Sequence, residues 1–242
     1  MRAEHFYPVL KAALIAGLAA GLVLGLFHFL LTEPVLGRAI ALEAQTAPSQ
    51  TVPLVSRSLQ KGMLIVGSAL YGLLVGVIFA LVFAVSERHL PGRWPDIKAV
   101  VLAGLLWWSV AFLPFLKYPA NPPGVGDPDT AYFRQGIQLG FIVLSALAVA
   151  VAGAAYRLSG RRWRNLALRR LGLAVGLYGI LVILLFVLMP ANPDPITVPA
   201  DLVWDFRILS LSGQTFFWAI LGGSSALLLK HFARQGALGK TG

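Results

Sequence analysis

The chain has 242 residues, 57% of them hydrophobic and only 12% charged, whereas an ordinary soluble domain has about 45–50% and 25%. That composition, with a mean hydropathy of +0.77, excludes a soluble globular domain and argues for a membrane protein. The net charge of +10 would suit a nucleic-acid binder, but its distribution along the chain assigns it to topology instead. Cys is absent, so disulfides and thiolate metal sites are excluded.

Windows of about 20 mainly apolar residues, the length a helix needs to cross a bilayer, predict six spans. The first covers 9–31. Arg2 and Lys11 flank its start, but the apolar run from Ala12 to Leu31 is too long for a signal sequence, and a retained helix is expected. Gly17, Gly21 and Gly25 form a GxxxG ladder along it, and His28 is an ionisable group near its outer end. On an ideal α-helix His28 and Thr32 share a face, with Glu33 offset by roughly 140°. Glu33-Pro34 reads as a first outer elbow, with Glu43 beyond it. The second span, 63–85, follows Arg57 and carries Gly72 and Gly76.

The third span, 99–116, follows "GRW" at 92–94 and ends in "FLPFLKYPANPPGVGDPDT". Proline cannot continue a helix interior and biases the preceding residue toward extended geometry. This stretch is therefore expected to form a stiff, non-helical cap holding Asp127 and Asp129 over the bundle mouth. The fourth span is 137–156, with Gly136 and Gly140 spaced for close packing. The fifth, 171–189, follows "GRRW" at 160–163, carries Gly172 and Gly176, and ends in "LMPANPDPITVPAD". The sixth is 208–229. The second and third hairpins thus repeat one pattern: a basic-Trp motif, an apolar helix, "PANP" at 119–122 and again at 190–193, an Asp-bearing loop, then Phe133-Arg134 or Phe206-Arg207. Each arginine is expected either to snorkel at the membrane interface or to pair with a loop carboxylate such as Asp129 or Asp205, with anion recruitment or locking of the elbow as the functional alternatives.

Of the 20 basic residues, 14 lie on the side of the two chain ends, while Glu33, Glu43, Asp127, Asp129, Asp194, Asp201 and Asp205 lie on the other. By the positive-inside rule both termini face the cytoplasm and the proline elbows face out. The fold class expected is all-α and polytopic: one transmembrane domain over 1–242, six helices in three hairpins.

Catalytic signatures are missing. "GALGKTG" at 236–242 ends like a phosphate loop but has Arg234 where the first Gly should stand, and no GxSxG, HExxH or CxxC occurs. No enzyme activity, no covalent cofactor and no nucleic-acid partner are expected. Carboxylate, imidazole, amide and backbone-oxygen donors suit borderline or hard divalent ions such as cobalt, nickel, manganese or magnesium. His28, Glu33, Glu43, Asp127 and Asp129 are the candidate metal-contacting residues, and Gln60, Gln138 and Gln214 are candidate lining groups.

The stretches "EPVLGRAIALE" (33–43), "VSRSLQKG" (55–62), "FLPFLKYPANPPGVGDPDT" (112–130) and "PADLVWDFRILSLSGQ" (199–214) resemble the CbtA family of predicted cobalt transporter subunits. The resemblance covers nearly the whole chain. It implies a multi-span protein of the cytoplasmic (inner) membrane that imports cobalt, accompanied by a small single-span, His-bearing subunit of the CbtB kind. Residues matching family motifs are Glu33, Pro34, Glu43, Arg57, Lys117, Pro119, Asn121, Pro122, Asp127, Asp129, Asp201, Trp204, Arg207 and Gln214. Many relatives carry a His-rich run in the first outer loop, where this chain reads "AQTAPSQTVPLVS".

The expected function is a Co2+ (or Ni2+) transporter subunit embedded in membrane lipids. A non-transporting structural subunit of a larger membrane complex is the alternative. The aromatic runs Trp107-Trp108 and Phe216-Phe217-Trp218 and the glycine strips would serve docking in that case, including self-association into a homo-oligomer.

Overall fold

The structure, a computed structural model, describes residues 3–46, 55–161 and 166–238. Eight α-helices and five short π or 3-10 turns account for the regular structure of those residues: α1 (Ala3–Phe27), α2 (Glu33–Thr46), α3 (Arg57–Ser86), α4 (Pro95–Leu106), α5 (Leu113–Lys117), α6 (Ala131–Leu158), α7 (Ala167–Leu188) and α8 (Ala200–Leu238). Six continuous helical stretches are long and apolar enough to cross a membrane, so the protein is an all-α, multi-pass membrane protein.

The first helix does not turn at Glu33-Pro34. It passes through a π-turn at His28–Thr32 and continues as α2 to Thr46. Phe6–Gln45, 40 residues, amounts to about 60 Å of helix, roughly twice the hydrocarbon core. The next described helix, α3, begins at Arg57, and 47–54 lie outside the described residues. A proline inside a regular helix removes an N–H and clashes with the carbonyl of residue i−4. Here the wider π-turn lies immediately before it, with the Glu33 N–H bonded to the His28 carbonyl, i to i−5. The same device recurs in the third span: a π-turn at Trp107–Phe112 joins α4 to α5, and Pro114 follows two residues later, matching the offset of Pro34 from Thr32. The fifth span meets its proline at Pro190 and ends instead, with α7 stopping at Leu188.

The chain divides into two compact units. One comprises 1–107, 121–124 and 198–242; the other comprises 108–120 and 125–197. In the first, α1 packs on α3 through the glycine ladder. A Cβ on Gly72 would lie 2.8 Å from the Gly21 Cα, and one on Gly21 would lie 3.0 Å from the Ala69 Cα. Backbones approach this closely only where side chains are missing, which is how helices gain van der Waals contact in lipid. Intrachain packing is thus the use of these glycines. α8 lies between α1 and α4, burying Leu202, Phe217 and Leu221. Phe217 and Trp218 sit in this core and are unavailable to a partner.

In the second unit, α6 and α7 form a hairpin closed by α5. Leu113, Tyr118 and Phe141 make its core with Val182, Leu185, Phe186 and Met189 around them. Tyr118, Phe141 and Phe186 meet edge to face. Tyr118 donates its hydroxyl to the Pro190 carbonyl at 2.5 Å, and burial raises its phenol above the ordinary range. Lys117 donates to the Phe186 carbonyl at 2.8 Å, one of the unsatisfied acceptors of the last turn of α7. Gly136, Gly172 and Gly176 face open space.

Candidate functional site

In the first unit, residues 213–215 of α8 each meet a polar side chain from another helical stretch, on successive sides of α8 about 100° apart. The His28 ring lies against Gly213, where a Cβ would meet its Cε1 at 2.9 Å and its Nε2 at 3.2 Å. His28 Nδ1 is hydrogen-bonded to the Thr32 hydroxyl at 2.8 Å, one turn on, so the pairing read from the i, i+4 spacing is present. The Gln214 side chain bonds the Tyr71 hydroxyl from α3, and Trp107 Nε1, from the second π-turn, donates to Thr215 Oγ1 at 3.1 Å. Phe27 and Phe216 stack beside this cluster, as do Tyr71 and Phe217. The Trp218 Nε1 is buried with no hydrogen-bond partner among the described residues. Polar groups in a lipid-spanning region are costly and gather where they serve one another or a permeating species.

Above this cluster lies a charged rim. Glu33 is almost buried, and its carboxylate is clamped by two cations, Arg57 Nη2 at 2.6 Å and Lys61 Nζ at 3.1 Å. The π-turn corrects the expected 140° offset: an i to i−5 bond draws Glu33 back toward the His28 face. Arg38 on α2 pairs with Asp201 at 2.8 Å and Asp205 at 3.5 Å, both on α8. Arg207 donates to Asn121 Oδ1 at 2.8 Å, Pro122 beside it is fully buried, and Glu43 packs near Gly124. Trp204 is 66% exposed and points away from these contacts.

In the second unit the organising residue is Asp194, which sequence reasoning placed only among the outer acids. Its Oδ2 accepts from the Thr130 hydroxyl at 2.8 Å and from the Asp127 N–H at 3.2 Å. Arg134 Nε lies 3.0 Å away but off the N–H axis, so that contact is one of charge. The directed bonds of Arg134 run from Nη2 to the Asp127 carbonyl at 3.0 Å and from Nη1 to the Val125 carbonyl at 3.3 Å. Gly126 makes room for the guanidinium: its φ is +99°, and a Cβ there would lie 2.6 Å from Arg134 Cζ, so both conformation and space require glycine.

The arginines therefore lock elbows, but not their own. Arg134 pairs with Asp194 of the following elbow and not with Asp129; Arg207 pairs with Asn121 of the preceding elbow and not with Asp205. An arginine bonded to two carbonyls while touching a carboxylate satisfies more of the cap than a single local ion pair would. Asp127 and Asp129 are exposed, the Asp127 Oδ1 accepting only from the Asp129 N–H at 2.9 Å. Among the described residues no three His, Asp or Glu side chains gather to hold a metal ion. His28, Glu33 and Glu43 are placed in the first unit, and Asp127 and Asp129 in the second. Gln60 bonds Arg57 and the Val55 carbonyl and belongs to the rim; Pro34 and Pro119 serve as the helix and elbow breakers described above.

A family described as probable cobalt transporter subunit (CbtA) matches residues 6–230. Neither the curated proteins nor the solved structures provide a match.

Proposed function

The chain belongs to the CbtA family, and from that premise we propose that it is a cobalt (or nickel) transporter subunit of the cytoplasmic membrane whose ion path runs through the polar cluster around Gly213. The observation that carries this reading is the His28–Thr32 pair seated against Gly213 inside the first unit, with the Tyr71–Gln214 bond on the adjoining side of α8. An apolar bundle built only for packing has no need of it. In this reading the exposed Asp127 and Asp129 raise the local concentration of a divalent cation by their charge. Within the first unit Glu33 is the carboxylate open to exchange, releasing Arg57 and Lys61 when a cation takes their place. His28 and Gln214 supply nitrogen and oxygen donors of the borderline kind that cobalt and nickel accept. A partner subunit, small, single-span and His-bearing, completes the ligand set.

A second reading is a structural subunit of a larger membrane complex. The open glycines of α6 and α7, Gly136, Gly172 and Gly176, support it, since unoccupied small-residue faces accept helices.

Radioactive cobalt uptake separates the two. Cells lacking their own importers would express the chain alone, with a candidate small partner, and as Asp127→Asn/Asp129→Asn and His28→Ala variants. Uptake that rises with the protein and drops in both variants supports transport. Background uptake in every combination, with the protein well inserted, removes the transport reading and leaves the structural one.

A further inference from the structure

The second unit carries a charge imbalance at the end opposite its Asp-bearing elbows. From Thr130 to Pro193 the sequence has no Asp or Glu, yet it carries Arg134 at the outer end and Arg157, Arg161, Arg162, Arg164, Arg169 and Arg170 at the inner end. Arg134 is satisfied by its elbow. Among the described residues no carboxylate pairs with Arg157, Arg169 or Arg170, whereas Lys98, on the same side of the membrane, has Glu87 at 3.9 Å.

The local geometry sharpens the imbalance. Arg157 stands in the last turn of α6, where a cation suits the helix dipole, but Arg169 and Arg170 stand in the first turn of α7, where it does not. That turn has no acidic residue, and Leu166 at its N-cap offers no side-chain acceptor, so its free N–H groups add to the positive potential. Arg170 is fixed in place. Its Nε and Nη2 donate to the Tyr156 carbonyl at 3.3 and 3.2 Å, its guanidinium lies 4.3 Å from the Tyr156 ring centroid, and a Cβ on Gly160 would come within 3.0 Å of its Nη2. Arg157 and Arg169 are exposed. Two exposed guanidinium groups, one immobilised guanidinium and an uncapped helix start thus occupy the same end of one hairpin, where Arg170 lies over an aromatic ring of the interfacial type.

We propose that the inner end of the α6–α7 hairpin binds the phosphate of an anionic phospholipid headgroup, held by Arg157, Arg169 and Arg170. Orientation by the positive-inside rule needs only a local excess of basic residues; it does not require acid to be missing from 64 consecutive residues. Clustered arginines directly beside a membrane helix attract anionic lipid, and the planar guanidinium suits phosphate oxygens. The inference is independent of what the protein transports.

The test uses the full chain, purified in detergent and titrated with phosphatidylglycerol, phosphatidylcholine or inorganic phosphate, with bound lipid counted by native mass spectrometry. Phosphatidylglycerol should be retained selectively. Arg157→Gln/Arg169→Gln should weaken retention roughly thirtyfold, from the typical contribution of each basic residue near an anionic surface. Arg88→Gln/Arg93→Gln, which removes equal charge from the same side, should leave retention unchanged. Equal retention of phosphatidylcholine by the unaltered protein would overturn the proposal without reference to any variant. So would an equal loss in both double variants, or displacement of phosphatidylglycerol by inorganic phosphate at matched concentration, which would assign the arginines to a soluble anion.

Discussion

Gly213→Ala tests the geometry of the polar cluster through a change of sign. The new methyl would lie 2.9 Å from His28 Cε1 and 3.2 Å from both His28 Nε2 and Leu24 Cδ1, so the imidazole must yield by several tenths of an ångström. Its Nδ1 bond to Thr32, at 2.8 Å, opposes that movement. Overpacking of this kind costs about 1–3 kcal/mol, and a strained hydrogen bond adds about 1 kcal/mol. Against this stands a gain of about 1 kcal/mol for alanine over glycine within a helix. The net expectation is a loss of about 1–3 kcal/mol. For a chain of this size that lowers the melting temperature by roughly 2–4 °C per kcal/mol, measured in detergent. In a His28→Ala background the imidazole clash disappears and the helix gain stands against only the 3.2 Å approach to the flexible Leu24 Cδ1, so the same substitution should stabilise by up to about 1 kcal/mol. Equal destabilisation in both backgrounds would refute the placement of the imidazole against Gly213. If the cluster is the ion path, cobalt uptake by Gly213→Ala should also fall further than the loss of folded protein explains.

Other substitutions probe the remaining contacts. Gly72→Ala directs its Cβ at the Gly21 backbone, 2.8 Å from the Cα, where no rotamer change gives relief; it should sharply reduce the folded fraction by size-exclusion assay, while Gly172→Ala, facing open space, should not. Arg134→Gln should destabilise by about 3–5 kcal/mol, because the Asp194 carboxylate, 5% exposed, loses its positive partner. Asp129→Asn, at an exposed carboxylate, should change the melting temperature by less than about 1 °C. Tyr118→Phe removes the bond to the Pro190 carbonyl and should cost about 1 kcal/mol, read as a drop in melting temperature.

The spans were legible because lipid imposes length and hydropathy together, and the glycine ladder of α1 because its four-residue spacing has few uses besides close approach. The extended segment after Lys117 followed from its prolines. The π-turns did not follow from anything in the composition, because a proline near a helix end reads equally as a stop or as a tolerated irregularity; backbone bonding alone decides. Periodicity with an ideal pitch therefore misplaced Glu33 relative to His28. The role of Asp194 was hidden for a different reason. Its partners, Asp127, Thr130 and Arg134, are 60 to 67 positions earlier, and a local reading offers each arginine the nearest acid. The one available signal was that Asp194 directly follows the second PANP, at the point where the first repeat has Pro123.

Each π-turn amounts to one extra residue stored in a helix. Passing it along by a single hydrogen-bond step, or losing it to regular α geometry, would turn the helix beyond by about 100° around its own axis with little change in length. His28 and Trp107, the two residues that open these turns, would be re-aimed by such a step while the glycine-packed α1–α3 seam stayed closed. The prolines at 34 and 114 set the outer limit of the travel, since neither can supply the N–H that a passing turn would need. In the first span such a step must also break the clamps on Glu33 and Arg38, which tie the stored residue to the ion pairs of the rim.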